Sequence, residues 1–187
     1  MGSLLATFSA ALEARDPYLR GHSARVTAFA EGLALTLGWK RSRLETLRLG
    51  GSLHDVGKIA VDARILRKPG PLDERELAQI RRHPVTGARL VESFADFEPA
   101  LPYVLHHHER WDGEGYPHRL RGEAIPVEAR VLGVADAFDA MTSLRPYRPA
   151  LSIEQALAEL ERCAGTQFDP RLAETFVDGW RRGAIAA

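Results

Sequence analysis

Apolar residues recur along this chain at intervals of three and four, the spacing that stacks side chains on one helical face, and no stretch alternates residue by residue as a half-buried strand would. From Ser23, the stripe Val26, Phe29, Ala30, Leu33 and Leu37 predicts a helix that Gly38 ends. Leu44, Leu47, Leu49 and Leu53 mark a second helix, with Gly50 and Gly51 in its interior. An interior glycine costs roughly 1 kcal/mol relative to alanine, so the pair implies that another helix or a ligand packs closely there. Asp73 and Glu76 form a capping pair at the start of the next helix. His83-Pro84 interrupts it, because proline disfavours helical geometry in the residue before it and suits a fresh first turn. Pro126 fits such a turn ahead of residues 127–142. Ser152 with Gln155, then Asp169 with Pro170, open two C-terminal helices. The expectation is an all-α chain, one domain over 1–187, without repeat or linker. Its one long irregular stretch, 112–125, is rich in glycine and proline, and long loops in compact domains are disproportionately functional.

Composition narrows the function. Lys plus Arg (25) equal Asp plus Glu (25), so no global positive field attracts a nucleic-acid polymer, although a few local arginines suffice for a small anion. The single cysteine, Cys163, excludes an internal disulfide and a cysteine-rich zinc site, and reads as a packing residue in a reducing cytosol. No apolar run approaches the roughly 20 residues that span a membrane and no secretory signal is visible, so a cytoplasmic location is expected. Met1-Gly2-Ser3 has the look of an added start, and the natural chain is expected to continue upstream.

The chemistry lies in histidines and aspartates. His54-Asp55 is the sharpest pair: His54 lies two turns beyond Leu47 on the same helical face and points inward, and a buried carboxylate beside it needs a cation or donors. Gly57 is expected to reverse the chain and so bring Lys58 back towards the dyad. His22, one turn before Val26, extends an apolar stripe into the interior. Asp136 and Asp139 sit within an apolar helical stretch, where one of them could instead be an exposed acid or an arginine's partner. Of His106, His107 and His108, at most two can face one centre, because adjacent residues diverge by about 100° on a helix. With His83, five segments offer imidazole or carboxylate, a donor set that suits iron, manganese, zinc or nickel. The number of candidates exceeds what one tetrahedral ion takes, and a two-metal site with a bridging carboxylate fits better.

These residues form a recognisable pattern. His54-Asp55-Val56-Gly57-Lys58 resembles the motif of HD-superfamily phosphohydrolases, and the run from His107-His108-Glu109 through Asp112-Gly113-Glu114-Gly115-Tyr116-Pro117 resembles the defining stretch of the HD-GYP subfamily. Gly21-His22, His83-Pro84, Ala135-Asp136, Arg145-Pro146-Tyr147-Arg148 and Gln167-Phe168-Asp169-Pro170 match as well, so that the resemblance runs in order from about residue 16 to 170. It implies an HD-type helical bundle with two additional C-terminal helices. It also implies a bacterial enzyme that hydrolyses cyclic di-GMP to the linear dinucleotide pGpG and onward to GMP.

By the same resemblance, His22, His54, Asp55 and Asp136 would bind one divalent ion. Asp55 would bridge to a second, held by His83, His107 and His108, with iron or manganese first and zinc or nickel after them. His106 has no role in that pattern. Lys58 matches a lysine near the reacting phosphate, and Asp55 with Lys58 would carry catalysis. Arg145 and Arg148 match basic positions that hold ligand phosphates, a task suited to the guanidinium fork. Arg110, Gly113, Gly115, Tyr116 and Pro117 would shape the ligand rim or brace the loop. Diguanylate cyclase (GGDEF) domains and an upstream sensory or receiver domain are the implied partners.

Three positions depart from the family pattern. Tyr18 stands where some members carry a glutamate for a third metal, so two ions are expected. Leu144 replaces a common aspartate, and Val61-Asp62 a more usual Ile-Pro. Two other readings stand beside the main one. One is an HD-type hydrolase of another cyclic dinucleotide or nucleotide; the other is a non-catalytic module that binds a cyclic dinucleotide or a diguanylate cyclase.

Overall fold

A computed structural model describes residues 2–15, 20–144 and 149–186. Helices follow in the order α1 (Gly2–Arg15), α2 (His22–Thr36), α3 (Arg41–Leu53), α4 (Ala63–Leu66), α5 (Glu74–Ile80), α6 (His83–Glu92), α7 (Leu101–His106), α8 (Val127–Thr142), α9 (Ile153–Arg162) and α10 (Pro170–Arg181). Short 3-10 turns lie at Val56–Ala60, Ala95–Ala100 and Gly122–Ala124, and no strand occurs among the described residues. The all-α expectation holds, and α9 and α10 are its two C-terminal helices.

The stripe on α2 is buried as its spacing predicts, from Val26 through Leu33. Leu37 is the exception. It caps α2, is 37% exposed, and precedes the positive-φ Gly38 where the chain turns away from the core. Opposite α2 lies α8, whose Phe138 meets Phe29 edge-on at 5.2 Å and packs against Phe176 and Trp180 of α10 at 5.0 and 4.8 Å. The helices α9 and α10 supply Leu157, Leu160, Leu172 and Val177 to the same core. α8 is therefore held between α2 and the C-terminal pair, which fixes where Asp136 and Asp139 point. A smaller core of Leu53, Val56, Val91, Phe97 and Val104 lies beneath α3, α6 and α7.

Local signals set the helix ends. Both predicted capping boxes form: Asp73 with Glu76 opens α5, and Ser152 with Gln155 opens α9, each worth about 1 kcal/mol. Asp169 accepts from Arg171 N at 3.0 Å at the start of α10 and pairs with Arg130 at 2.7 Å. α5 stops at Ile80, and α6 begins afresh at His83 with Pro84 in its first turn.

Two glycine expectations are resolved by close approach. A Cβ on Gly50 would lie 2.3 Å from the Tyr103 ring, and one on Gly51 would lie 2.3 Å from Thr27 Oγ1, so helices rather than a ligand press on α3. Gly57 corrects the sequence reading. The chain continues from His54 into the 3-10 turn Val56–Ala60 without a positive-φ reversal. What requires glycine is space, because a Cβ there would stand 1.9 Å from His83 O and 2.5 Å from Gly87 N. α6 thereby lies directly on the turn that follows the His-Asp dyad.

Candidate metal centre

Five segments converge where the ends of α2, α3, α6 and α7 meet the middle of α8. Asp55 stands at the centre, buried. Its Oδ2 faces His22 Nε2 at 3.6 Å, His54 Nε2 at 3.5 Å and Lys58 Nζ at 2.6 Å. Its Oδ1 faces His83 Nε2 at 3.3 Å and His107 Nε2 at 3.9 Å. Asp136 Oδ1 joins the first side, 3.3 Å from His22 Nε2. His108 joins the second, its ligand atom grouped with those of Asp55, His83 and His107 within 4.8 Å. All seven metal-ligand candidates from the sequence are brought together.

The outward nitrogens are fixed by what holds the inward ones. His54 Nδ1 donates to Gly51 O at 2.8 Å, His83 Nδ1 to Ile80 O at 2.8 Å, and His107 Nδ1 to Tyr103 O at 3.0 Å. A carbonyl only accepts, so each imidazole carries its proton on Nδ1 and presents a lone pair on Nε2, the arrangement found around metal-ligating histidines. His22 differs: its Nδ1 lies 2.7 Å from Asp139 Oδ2, and Arg25 grips the same carboxylate at 2.5 Å. Asp139 is thus the arginine's partner and the orienter of His22.

The electrostatics call for a cation. Burial pushes His83 down to about 3, His108 to about 4 and His107 well below the usual histidine range, so all three are neutral at physiological pH. His83 Nε2 and His107 Nε2 then face each other at 3.2 Å with two lone pairs and no proton to share. His54 Nε2 is buried without a hydrogen-bond partner. On the other side, burial opposes charge on His22, but hydrogen bonds to Asp136 and Asp139 and the charge of Asp55 outweigh it and lift His22 to about 9. Burial likewise opposes ionisation of Asp55 and Asp136. The charges of Lys58 and His22 nevertheless hold Asp55 low, and the hydrogen bond and charge of His22 hold Asp136 low. Orphaned imidazole lone pairs on both sides of one ionised carboxylate fit divalent ions by donor type as well as by placement.

Four members of the cluster, His22, His107, His108 and Asp136, line a cavity of about 620 Å³ whose walls also include Lys58, Arg81, Arg110, Trp111, Gly115, Tyr116 and Arg130. A family model described as "HD domain" matches residues 6–172. The chain belongs to the HD domain family. The domain is of the HD-GYP type. It is 39% identical over 177 residues to the cyclic di-GMP phosphodiesterase response regulator RpfG of Xanthomonas campestris pv. campestris, covering 94% of this chain and 47% of that protein. It is 40% identical over 167 residues to the cyclic di-GMP phosphodiesterase PA4108 of Pseudomonas aeruginosa, covering 89% and 40%. It is also 37% identical over 172 residues to the 3'3'-cGAMP-specific phosphodiesterase 2 of Vibrio cholerae, covering 91% and 33%. The chain therefore spans less than half the length of these relatives. In fold it is similar to the V. cholerae cyclic GMP-AMP-specific phosphodiesterase V-cGAP3, with a TM-score of 0.71 at 21% identity over 98% of this chain and 50% of that one.

The loop that gives the HD-GYP type its name is braced as well as open to the cavity. Tyr116 stacks on His108 at 4.8 Å, and its peptide bond to Pro117 is cis. Gly115 packs so closely that a Cβ would meet Arg110 N at 2.3 Å. Glu109 accepts from His118 N and Leu120 N, and Trp111 N and Asp112 N donate to Gln167 O and Thr166 O. Gly113 and Pro117 are not among the cavity-lining residues, whereas Arg110, Gly115 and Tyr116 are. Arg110 is also tied to Asp112 at 2.6 Å. Arg145, Arg148 and Tyr18 lie outside the described residues. Two features escaped the sequence reading. Arg81, at the end of α5, lines the cavity and lies over the Tyr116 ring at 5.6 Å. Arg25 anchors Asp139, a pairing across 114 residues that no local pattern signals. Among the described residues, no helix is long and apolar enough to cross a membrane.

Proposed function

We propose that this chain is a metal-dependent phosphodiesterase of cyclic dinucleotides, with cyclic di-GMP as its substrate. One observation carries the reading: the two oxygens of Asp55 face two separate imidazole sets, and His22 of one set and His107 of the other line an open cavity. In this reading His22, His54, Asp55 and Asp136 hold one ion, and Asp55, His83, His107 and His108 hold the other. Iron or manganese is the first choice, and zinc or nickel also suit the donors. Bound there, such a pair lowers the pKa of water towards neutrality and offsets phosphodiester charge.

The rest falls to the protein's own groups. Asp55 keeps the two halves of the site in register. Lys58, on the cavity wall and 2.6 Å from Asp55 Oδ2, presents an ammonium to a phosphate oxygen as charge builds on it. Arg81 and Arg110 add positive charge at the wall, and Arg145 and Arg148 belong to the same proposed phosphate-binding set. Tyr116 and Trp111 offer ring faces on which bases stack. The cavity volume lies within the range that small-ligand sites occupy, about 300–1,000 Å³.

A second reading has 3'3'-cGAMP as the substrate. It is supported by the relatives of that specificity, whose identity to this chain is close to that of the cyclic di-GMP relatives. Manganese- or iron-loaded protein incubated with cyclic di-GMP, 3'3'-cGAMP and cyclic di-AMP, with products resolved chromatographically, separates the two. Fastest conversion of cyclic di-GMP to pGpG or GMP supports the main reading, and fastest conversion of 3'3'-cGAMP supports the second. No hydrolysis by protein with both ions bound overturns both.

A further inference from the structure

The chain has seven histidines. Five of them belong to the centre around Asp55. The other two, His106 and His118, stand together with Glu109. Their rings are 5.3 Å apart, and His106 Nδ1 lies 3.8 Å from Glu109 Oε1. The three ligand atoms all fall within 4.8 Å of one another. Two imidazoles and a carboxylate are the donor set of a three-ligand transition-metal site that keeps further positions for water.

Two observations distinguish this group from a chance surface cluster. His106 Nδ1 is buried yet has no hydrogen-bond partner. Glu109 is already held in place, its side chain buried and its two oxygens accepting from His118 N at 2.7 Å and Leu120 N at 3.0 Å, which leaves lone pairs directed towards the histidines. One ligand is thus unpartnered, one is pre-oriented, and the third, His118, is exposed and free to close on an ion arriving from solvent. Glu109 lines the substrate cavity but His106 and His118 do not, and the three form a group that shares no ligand with the two groups around Asp55.

We infer that His106, Glu109 and His118 form an accessory site for a transition-metal dication of the zinc class. An ion there ties the end of α7, which leads directly into His107 and His108, to the segment that follows Tyr116-Pro117. This inference does not rest on the proposed reaction, and its test is set up accordingly. Full-length Asp55→Ala protein, whose main centre is crippled, is equilibrated with zinc and its bound metal measured by mass spectrometry, beside Asp55→Ala/His118→Ala and Asp55→Ala/His106→Gln proteins. The inference expects Asp55→Ala to keep a saturable zinc equivalent that both double variants lose. His118 is exposed, so its removal leaves the core intact, and circular dichroism verifies this. Equal zinc content in all three proteins overturns the inference, as does the absence of any saturable equivalent in Asp55→Ala.

Discussion

His22 Nδ1 lies 2.7 Å from Asp139 Oδ2, a buried contact that joins the first turn of α2 to the last turn of α8 across 117 residues. It fixes the imidazole so that Nε2 faces Asp55 and Asp136. Outer partners of this kind typically contribute 10- to 100-fold to metal affinity. Asp139→Asn is therefore expected to weaken manganese binding by about that factor, with activity regained at higher manganese. Titration of chelator-treated protein checks this, and an unchanged affinity would remove Asp139 from the site's support.

Gly57 makes a steric prediction. Alanine would place its Cβ 1.9 Å from the His83 carbonyl oxygen, a backbone atom that cannot step aside, so α6 must shift and carry His83 with it. Gly57→Ala should lose several kcal/mol of stability, as overpacked or strained sites do. It should also lose metal on the His83 side. Thermal unfolding with and without manganese measures both effects, and a wild-type Tm would refute the contact.

Lys58 is expected to act on the reaction more than on assembly. Lys58→Ala should retain bound metal while kcat falls by about 10²–10³, the loss typical of removing one preorganised charge-stabilising donor. Steady-state kinetics on metal-verified protein decide the matter, and a kcat within twofold of wild type would assign Lys58 to holding Asp55 alone.

Metal-free protein should show a distinctive pH profile. His83 and His108 have folded values of about 3 and 4 against 6.5 when free, and His107 is also well depressed. Their neutral forms favour the fold above pH 6.5, and that contribution drains away as pH falls from 6.5 towards 4. Asp55 and Asp136, depressed in the fold, add to the loss at still lower pH. His22, raised to about 9, works in the opposite sense: its contribution is complete below pH 6.5 and is lost as pH rises through 9. The Tm of chelated protein should peak near neutrality and decline on both sides. A Tm that rises from pH 6.5 to 5 would contradict these assignments.

Much of this architecture was legible in local patterns. The buried stripe of α2, the capping boxes at Asp73 and Ser152, and the break at His83-Pro84 depend on neighbours within a few residues, which the sequence displays directly. The His54-Asp55 dyad, and the choice of His107 and His108 over His106, were also readable, from helical phase and from family resemblance. What the sequence hid is tertiary. Gly57 looks like a turn residue until α6 is laid across it. Asp139 could equally have been an exposed acid until α8 is pressed against α2 and Arg25 closes on it. Arg81 reaches the cavity only because α5 ends beside Tyr116. The short α7 carries too few periodic residues to announce itself, whereas α1 shows Leu5, Phe8 and Leu12 at helical spacing, a stripe the sequence reading passed over.

The central claim is that Asp55 joins two metal-binding halves. It is tested most directly by metal analysis of protein purified without air or chelator, alongside Asp55→Ala handled identically. The account predicts about two tightly held divalent ions per wild-type chain that depend on Asp55, and a sharp loss of both in Asp55→Ala with helical content preserved, any ion at His106, Glu109 and His118 being counted apart. Wild-type protein that holds no ions, or an Asp55→Ala variant that retains the full complement, would contradict it.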